Sequence, residues 1–175
     1  MSLILLRHTR PDVDEGICYG RTDLSLCDDF DAEVERIDAE LPDFTTIIAS
    51  PLSRCLRLAR ALGERREIEV TVDTRVIEMN FGRWERMPWE IIPRDQLDAW
   101  RDNFLGAAPH GGESVKQLAT RVQAALAEVA RGPVPALVVT HAGVIKAALS
   151  AVGEADAWNA KTEFGHWRRI TWPAL

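Results

Sequence analysis

The sequence contains no long hydrophobic run. Its longest apolar stretches, such as residues 3–6 and 136–139, are four residues long. A membrane-spanning helix needs about 20 apolar residues. Met1 and Ser2 lead straight into the first stretch, without the basic region that opens a secretory signal. These absences predict a cytoplasmic protein that has no membrane partner.

The sequence also lacks the residue patterns of several common sites. It has neither the GxGxxG loop of dinucleotide binders nor the GxxxxGK loop of nucleoside triphosphatases. The four histidines, at positions 8, 110, 141 and 166, form no HxH or HExxH pair that would indicate a metal site. The three cysteines, at positions 18, 27 and 55, form no CxxC motif, and none has an arginine six residues downstream. We therefore expect reduced thiols and neither a metal nor another cofactor.

Lysine is scarce, and the balance of charge is negative. Of the 21 basic residues only three are lysines, Lys116, Lys146 and Lys161, and the net charge is −6. A nucleic-acid partner is not expected, because binding to a phosphate backbone needs a basic face. Arginine suits a two-pronged grip on phosphate or carboxylate. A GC-rich genome also encodes arginine in place of lysine. The positions of the arginines, and not their number, must therefore show whether they bind an anion.

What is present is the composition of a globular domain. Of the 175 residues, 46% are hydrophobic and 27% are charged. These fractions are close to globular averages and exclude disorder, collagen and coiled coil. A chain of this length buries a core of its own, and we expect a single domain over residues 1–175.

Strand and helix patterns alternate along the chain. Short aliphatic or alternating segments predict strands at 3–6, 45–49, 69–73, 136–140 and 166–172. Helical spacing predicts helices at 30–41, 50–62, 115–129 and 143–152, with Ser50 and Ser114 as N-caps and Gly63 as a stop. The segment 9–29 is a candidate functional loop, and 76–104 is irregular and then helical from Trp89. The alternation predicts an α/β fold, a three-layer α/β/α sandwich with a mostly parallel central sheet.

Charged and imidazole side chains follow the predicted strands. Arg7 and His8 end the first strand, Arg54 lies in the first turn of the helix after the second, and His141 follows the fourth. Glu78 lies a few residues beyond the third strand. Each alone is compatible with a structural histidine or a solvated charge. Ligands of open parallel sheets bind beyond the carboxyl ends of the strands. These five side chains all come at that edge of the sheet, beside two helix N-termini. Together they predict a site for a phosphoryl or carboxylate anion.

Without a glycine-rich phosphate loop, a metal site or a cysteine-phosphatase loop, the remaining phosphoryl chemistry is that of a nucleophilic histidine. A neutral imidazole attacks phosphorus and forms a phosphohistidine, which splits one displacement into two. Arginines and a second imidazole spread positive charge over the equatorial oxygens. A carboxylic acid protonates the leaving alkoxide and later activates water. The sequence has a residue for each of these roles.

Several motifs, in this order along the chain, resemble those of the histidine phosphatase superfamily, whose fold is phosphoglycerate-mutase-like. They are Arg7-His8-Thr9, Ser50-Pro51-Leu52-Ser53-Arg54, Glu78, Gly111-Gly112-Glu113-Ser114 and His141-Ala142-Gly143. The resemblance implies a metal-independent phosphomonoesterase that acts through a phosphohistidine. It makes His8 the nucleophile and Glu78 the proton donor. The phosphate pocket that it implies consists of Arg7, Arg54 and His141, and His141 also counts as catalytic.

Three segments, 7–11, 16–23 and 78–85, look like the α-ribazole phosphatase branch of this superfamily. That branch dephosphorylates a nucleotide-loop precursor of cobalamin, so the resemblance implies α-ribazole 5′-phosphate as the substrate. A small-molecule phosphatase of other or broad specificity, a phosphoglycerate mutase and a catalytically silent anion-binding module stay open as alternatives. Mutases of the superfamily are typically longer, which favours a phosphatase. Thr9, Arg10 and Asn80 depart from the common patterns.

Three further residues are predicted substrate contacts. Arg10 and Arg21 lie in the loop after the first strand, within reach of a phosphate or of the leaving group. Trp84, together with Trp89, offers a flat apolar wall for a substrate that carries a ring. The alternatives are solvated loop charges for the two arginines, and packing onto the body of the protein for the two tryptophans.

Overall fold

A computed structural model describes residues 1–173, which contain a five-stranded sheet. The strands are β1 (Ser2–Arg7), β2 (Thr46–Ala49), β3 (Val70–Val72), β4 (Ala136–Thr140) and β5 (Trp167–Thr171). They lie in the order β3-β2-β4-β1-β5. Every neighbouring pair is parallel except β1 with β5. The prediction of a mostly parallel sheet is confirmed.

The described residues also form five α-helices. They are α1 (Phe30–Glu40), α2 (Ser53–Arg66), α3 (Arg94–Asp102), α4 (Val115–Val129) and α5 (Ala142–Ala151). Helices α1 and α2 pack on one face of the sheet, and α4 and α5 pack on the other. In the part of the chain that the structure describes, no helix has both the length and the apolar composition that crossing a bilayer needs.

The inner strand β1 explains how both faces of the sheet are filled. Side chains alternate along a strand, so Leu3 and Leu5 point to the core beneath α4 and α5. Ile4 and Leu6 point to the core beneath α1 and α2. All four are fully buried, and burial of each contributes about 1.5–3 kcal/mol to stability. A continuous aliphatic run is what a strand covered on both faces requires, and the three-layer sandwich is confirmed.

Helix α4 begins as predicted. The Ser114 hydroxyl accepts a hydrogen bond from the N–H of Gln117 at 3.2 Å, and the Gln117 side chain accepts one from the N–H of Ser114 at 2.8 Å. This reciprocal pair satisfies backbone donors that the start of a helix leaves free. It fixes the start of α4 next to Glu113, which takes part in the site described below.

Helix α2 departs from the prediction at both ends. It begins at Ser53, after the N-cap Leu52, and the Ser50 hydroxyl is bonded to the His141 ring rather than capping the helix. The helix also continues past Gly63 to Arg66. Gly63 is required for space and not for a stop, because a Cβ there would lie 2.6 Å from the carbonyl oxygen of Ile68.

Two long segments lie side by side at one end of the molecule. Residues 76–104 are largely irregular, as predicted, with short 3₁₀ turns at Gly82–Trp84 and Trp89–Ile91 before α3. Helix α3 begins at Arg94 rather than near Trp89, because Pro93 disfavours helical geometry in the residue before it. A bridge between Ile17 and Pro88 joins this segment to the loop at 9–29.

Candidate active site

The register of the two central strands brings two histidines together. Strands β1 and β4 are adjacent and parallel, with Arg7 paired to Thr140. His8 and His141, the next residue of each strand, therefore leave the sheet side by side. Their ring centroids are 5.2 Å apart in an edge-to-face arrangement. Both residues are buried, at 2% and 0% exposure.

Two neighbours hold the His8 ring in one protonation state. Its Nδ1 lies 2.7 Å from the carbonyl oxygen of Thr9, which only accepts, so Nδ1 carries the proton. Its Nε2 lone pair accepts a hydrogen bond from Arg54 Nε at 3.3 Å. Burial, and then the nearby charge of Arg54, lower the pKa of His8 to about 3. The ring is therefore neutral at physiological pH, and Nε2 has the lone pair that a nucleophile needs.

Arg54 is fully buried and is held by backbone carbonyls. Its terminal nitrogens donate to the carbonyl oxygens of Gly20 at 2.5 Å and Thr22 at 2.8 Å. Its guanidinium carbon lies 5.4 Å from the centre of the Tyr19 ring. Because carbonyls do not neutralise its charge, Arg54 presents a fixed positive charge beside Nε2 of His8.

Glu85 holds that loop in place, and the sequence reasoning did not identify it. Its carboxylate accepts hydrogen bonds from the backbone N–H groups of Gly20, Arg21 and Thr22 and from the Thr22 hydroxyl, at 2.6 to 3.2 Å. Burial alone would raise the pKa of Glu85, but these hydrogen bonds outweigh burial and lower it. The bonded residues are more than sixty positions away in sequence, so no local pattern signals this role.

Arg7 is the second arginine whose charge acts on His8. Its guanidinium lies over the ring of Phe164, 3.7 Å from the centre, and donates to the carbonyl oxygen of Thr162 at 2.8 Å. Its Nε–H is buried and has no hydrogen-bond partner within residues 1–173. Burial lowers the pKa of Arg7, although an arginine still keeps its charge in proteins.

His141 is bonded to the elements around it. Its Nε2 lies 2.7 Å from the Ser50 hydroxyl and 3.4 Å from the sulfur of Cys55. Burial is the main cause that lowers the pKa of His141 well below its usual value, and the charge of Arg54 lowers it further. The position of Ser50 directly after β2 is the signal that identifies it as part of the site, since His8 and His141 occupy the same position after their strands.

Glu78 lies at the border of this group. One carboxyl oxygen accepts from the N–H of Met79 at 2.8 Å, and the other accepts from the N–H of Gly143 at 3.1 Å. Gly143 belongs to the first turn of α5. A side chain at this position would collide with the Glu78 carboxyl group, so the contact requires glycine.

Arg121 of α4 holds the backbone of Glu78 and was also missed by the sequence reasoning. It donates to the carbonyl oxygens of Arg75, Ile77 and Glu78 at 2.6 to 3.1 Å. Glu113 accepts from the same guanidinium at 2.6 and 2.8 Å. The carboxyl group of Glu78 is therefore attached to a backbone that a half-buried ion pair keeps in place.

The three predicted substrate contacts have different outcomes. Trp84 is 1% exposed, and its indole N–H donates to Gln96 at 2.8 Å. Trp84 therefore follows the packing alternative and lies against apolar residues such as Ile92. Arg21 lies next to the site and donates to the carbonyl oxygen of Glu78 at 3.4 Å. Arg10 is largely exposed and forms a surface ion pair with Asp29 at 3.7 Å.

An apolar cavity of about 350 Å³ opens beside Glu78. Its aromatic lining consists of Phe81, Trp89, Trp100, Phe104 and Trp158. The rings of Trp89 and Trp100 are stacked, with centroids 6.3 Å apart. The cavity is also lined by Ala142 and Gly143 of α5 and by one cation, Lys146. A flat apolar wall is therefore present, with Trp89 in place of Trp84.

This fold and this group of residues are those of a phosphoryl-transfer enzyme. The family model of the histidine phosphatase superfamily (branch 1) matches residues 3–171, and the chain belongs to that superfamily. The chain is 35% identical over 167 residues to glucosyl-3-phosphoglycerate phosphatase of Mycobacterium tuberculosis, an alignment that covers 85% of this chain and 73% of that protein. The protein is a phosphatase, and small phosphate esters are its substrates.

Solved structures show the same fold. The crystal structure of phosphoglycerate mutase from Thermus thermophilus has a TM-score of 0.79 at 29% identity, covering 99% of this chain and 94% of that chain. The α-ribazole phosphatase from Shigella flexneri has a TM-score of 0.83 at 23% identity, covering 98% of this chain and 90% of that chain. The second likeness shows the fold alone. The expected phosphoglycerate-mutase-like fold is confirmed.

Proposed function

We propose that this chain hydrolyses small phosphate monoesters without a metal, through a phosphohistidine formed on Nε2 of His8. The observation that carries the proposal is the pair of contacts of the His8 ring, from Nδ1 to the Thr9 carbonyl and from Arg54 Nε to Nε2, which fit a neutral ring with its lone pair at Nε2. In the first step Nε2 forms a bond to phosphorus while the bond between phosphorus and the ester oxygen breaks. The incoming phosphate takes over the hydrogen bond from Arg54 and frees the lone pair for attack.

Arg7, Arg54 and His141 stabilise the transferring phosphoryl group in this proposal. The buried Nε–H of Arg7, which has no partner within residues 1–173, supports a role in donating to a phosphate oxygen. The carbonyls that hold Arg54 leave its positive charge free to act on the anion. Donors that are in place before the reaction cost no reorganisation, and loss of one typically lowers kcat by about 10²–10³-fold.

Glu78 acts first as an acid and then as a base. In its protonated form it gives a proton to the leaving alkoxide. In its ionised form it takes a proton from water, whose oxygen attacks the phosphohistidine and releases inorganic phosphate. The backbone contacts from Arg121, and the position of the carboxyl group between α5 and the aromatic cavity, support both steps.

Two substrates are candidates, each supported by its own observation. The motif resemblance favours α-ribazole 5′-phosphate, and the aromatic lining beside Glu78 suits its planar base. The similarity to the mycobacterial enzyme favours glucosyl-3-phosphoglycerate. The carboxylate of that ester matches the Lys146 ammonium in the same cavity.

The chain is further proposed to work as a single domain over residues 1–175, in the cytoplasm. The match of the family model over residues 3–171 supports the first statement. The three cysteines form no disulfide, which is compatible with a reducing compartment.

Phosphate release in excess EDTA tests the mechanism. The intact protein and His8→Ala are compared on α-ribazole 5′-phosphate, glucosyl-3-phosphoglycerate and 4-nitrophenyl phosphate. We expect turnover that survives chelation and disappears in His8→Ala. The natural ester with the higher kcat/KM is then identified as the substrate. Release that requires a metal, or that His8→Ala retains, overturns the mechanism. An assay with 3-phosphoglycerate and a bisphosphate primer measures any mutase activity.

A further inference from the structure

The aromatic cavity beside Glu78 contains one lysine. Lys146 lies one turn into α5, on the same face as Ala142 and Gly143, and all three line the cavity. Its side chain is half-buried. The salt bridges within residues 1–173 all involve arginine. Lys146 is therefore a cation without a salt-bridge partner among the described residues, and it lines a mostly aromatic cavity.

The surroundings of Lys146 favour an anion. The carboxyl oxygens of Glu78 accept hydrogen bonds from backbone N–H groups and form no salt bridge with the lysine. The other lining residues are aromatic or aliphatic. A carboxylate bound in the cavity would be attracted by the positive charge of Lys146. The apolar lining of the cavity strengthens such an attraction relative to bulk water.

We propose that this cavity is the subsite for the leaving group, and that Lys146 selects leaving groups that carry a carboxylate. The inference rests on the proposed function, because Glu78, the proposed acid for the leaving oxygen, lines the cavity and accepts a hydrogen bond from Gly143, two residues after His141. The carbon skeleton of the alcohol lies against the aromatic walls while its carboxylate reaches Lys146. The substrate class is a phosphate monoester whose alcohol bears a carboxylate, which favours the second of the two candidates above.

A matched pair of aryl phosphates tests the inference. 4-Carboxyphenyl phosphate and 4-carbamoylphenyl phosphate have nearly the same shape and differ by one negative charge. We expect the wild-type enzyme to have the higher kcat/KM for the carboxylate. Lys146→Met should reduce this preference by about tenfold or more, mainly through KM, and change the kcat/KM of the carbamoyl ester little.

Two further variants make the comparison specific. Lys146→Arg keeps the charge and should keep most of the preference, and it also serves if Lys146→Met does not fold. Lys116→Met removes the same charge from an exposed position on α4, outside the cavity, and should leave the preference unchanged.

The outcomes separate this inference from the proposed function. Equal losses on both esters, or an unchanged preference, mean that the lysine only covers apolar surface, and overturn the inference. In that case turnover of both esters that depends on His8 leaves the proposed function standing. Absence of His8-dependent turnover of either ester overturns both.

Discussion

The reactivity of the His8 nitrogen depends on the burial of the ring. A histidine in water is half protonated near pH 6.5, and the protonated ring has no lone pair at Nε2. Burial and the charge of Arg54 lower the pKa of His8 to about 3, so the lone pair is present across the physiological range. An arginine proposed to bind the phosphate therefore also helps to keep the nucleophile neutral.

Glu78→Gln separates the two chemical steps. The amide has nearly the same shape as the carboxylic acid but neither gives up a proton readily nor activates water. With 4-nitrophenyl phosphate, whose leaving group needs no protonation, we expect a burst of about one nitrophenolate per enzyme, followed by slow turnover. Alkyl phosphates should show no burst and a rate about 10²–10⁴-fold lower than wild type. Stopped-flow absorbance measures the burst, and unchanged alkyl ester turnover contradicts the role of Glu78.

Arg121 is a positioning residue, because it acts on the reaction through the backbone of Glu78. Arg121→Met should lower kcat for alkyl phosphates by about 10- to 100-fold with little change in KM. The first step with 4-nitrophenyl phosphate should be affected far less, since it does not need the acid. Arg121→Lys should restore only part of the rate, because an ammonium group cannot span three carbonyls as the planar guanidinium does.

The control for Arg121 is Arg101→Met on the exposed side of α3. Within residues 1–173, Arg101 pairs only with nearby Asp98 and Asp102 at the surface, and its loss should leave the turnover of both substrates unchanged. Equal losses on the alkyl and aryl substrates in Arg121→Met indicate a general structural role and contradict the positioning role.

At the scale of elements, two irregular segments are fixed by side chains that bind their backbone. Glu85 binds three successive N–H groups of the loop at 20–22, and Arg121 binds carbonyls between residues 75 and 78. Buried backbone groups need such partners wherever no strand or helix supplies them. The strands place the histidines, and these two charged side chains place Arg54 and Glu78 relative to them.

Glu85→Gln should loosen the loop that holds Arg54. The lowered pKa of Glu85 means that its contribution to stability is complete above the usual value of 4.5 and is lost as pH falls through the lower folded value. At pH 7 we expect the free energy of unfolding to drop by about 1–2 kcal/mol, allowing for partial exposure. The amides of Gly20, Arg21 and Thr22 should exchange with deuterium faster.

The measurements for Glu85→Gln are urea unfolding and hydrogen exchange by mass spectrometry. The matched control is Glu90→Gln, an exposed residue in the same segment, which should change neither quantity. Wild-type exchange rates at 20–22 in Glu85→Gln contradict the assigned role.

At the scale of the whole molecule, buried neutral histidines make the fold sensitive to acid. The unfolded chain binds a proton at each histidine near pH 6.5, whereas the pKa of folded His8 is about 3 and that of His141 is well below 6.5. Between these values the unfolded state holds more protons than the folded state. The contribution of these histidines to the free energy of unfolding is therefore complete above about pH 7. It is lost as the pH drops from 6.5 towards 3.

His8→Ala should reduce this acid sensitivity. Between pH 7.5 and pH 5, the wild type should lose about 2 kcal/mol more of its free energy of unfolding than the variant does. Urea unfolding followed by tryptophan fluorescence at both pH values measures the difference. His166→Ala, which removes an exposed ring, should behave like the wild type, and an unchanged loss in His8→Ala contradicts the linkage.

How much of the fold could be predicted depends on how far apart in sequence the interacting residues are. The aliphatic run of β1 and the Ser114 capping box of α4 each involve residues close together in sequence, and both predictions are confirmed. The predicted start of α2 was wrong because serine is a common helix cap, while the shortest contact of the Ser50 hydroxyl is with the ring of His141, 91 positions away. The sequence left Trp84 open between packing and a substrate contact, because burial of a side chain depends on which distant residues pack against it.

The sequence by itself determined the layered sheet and the group of Arg7, His8 and His141 at strand ends with Arg54 in the helix that follows β2, because side-chain periodicity and position after a strand are local properties. Only the tertiary structure decided that Glu85 and Arg121 fix the backbone of the site, and that an aromatic cavity with Lys146 lies beside Glu78. These features come from contacts between residues distant along the chain. These contacts form only when the elements pack together, so no short stretch of sequence predicts them.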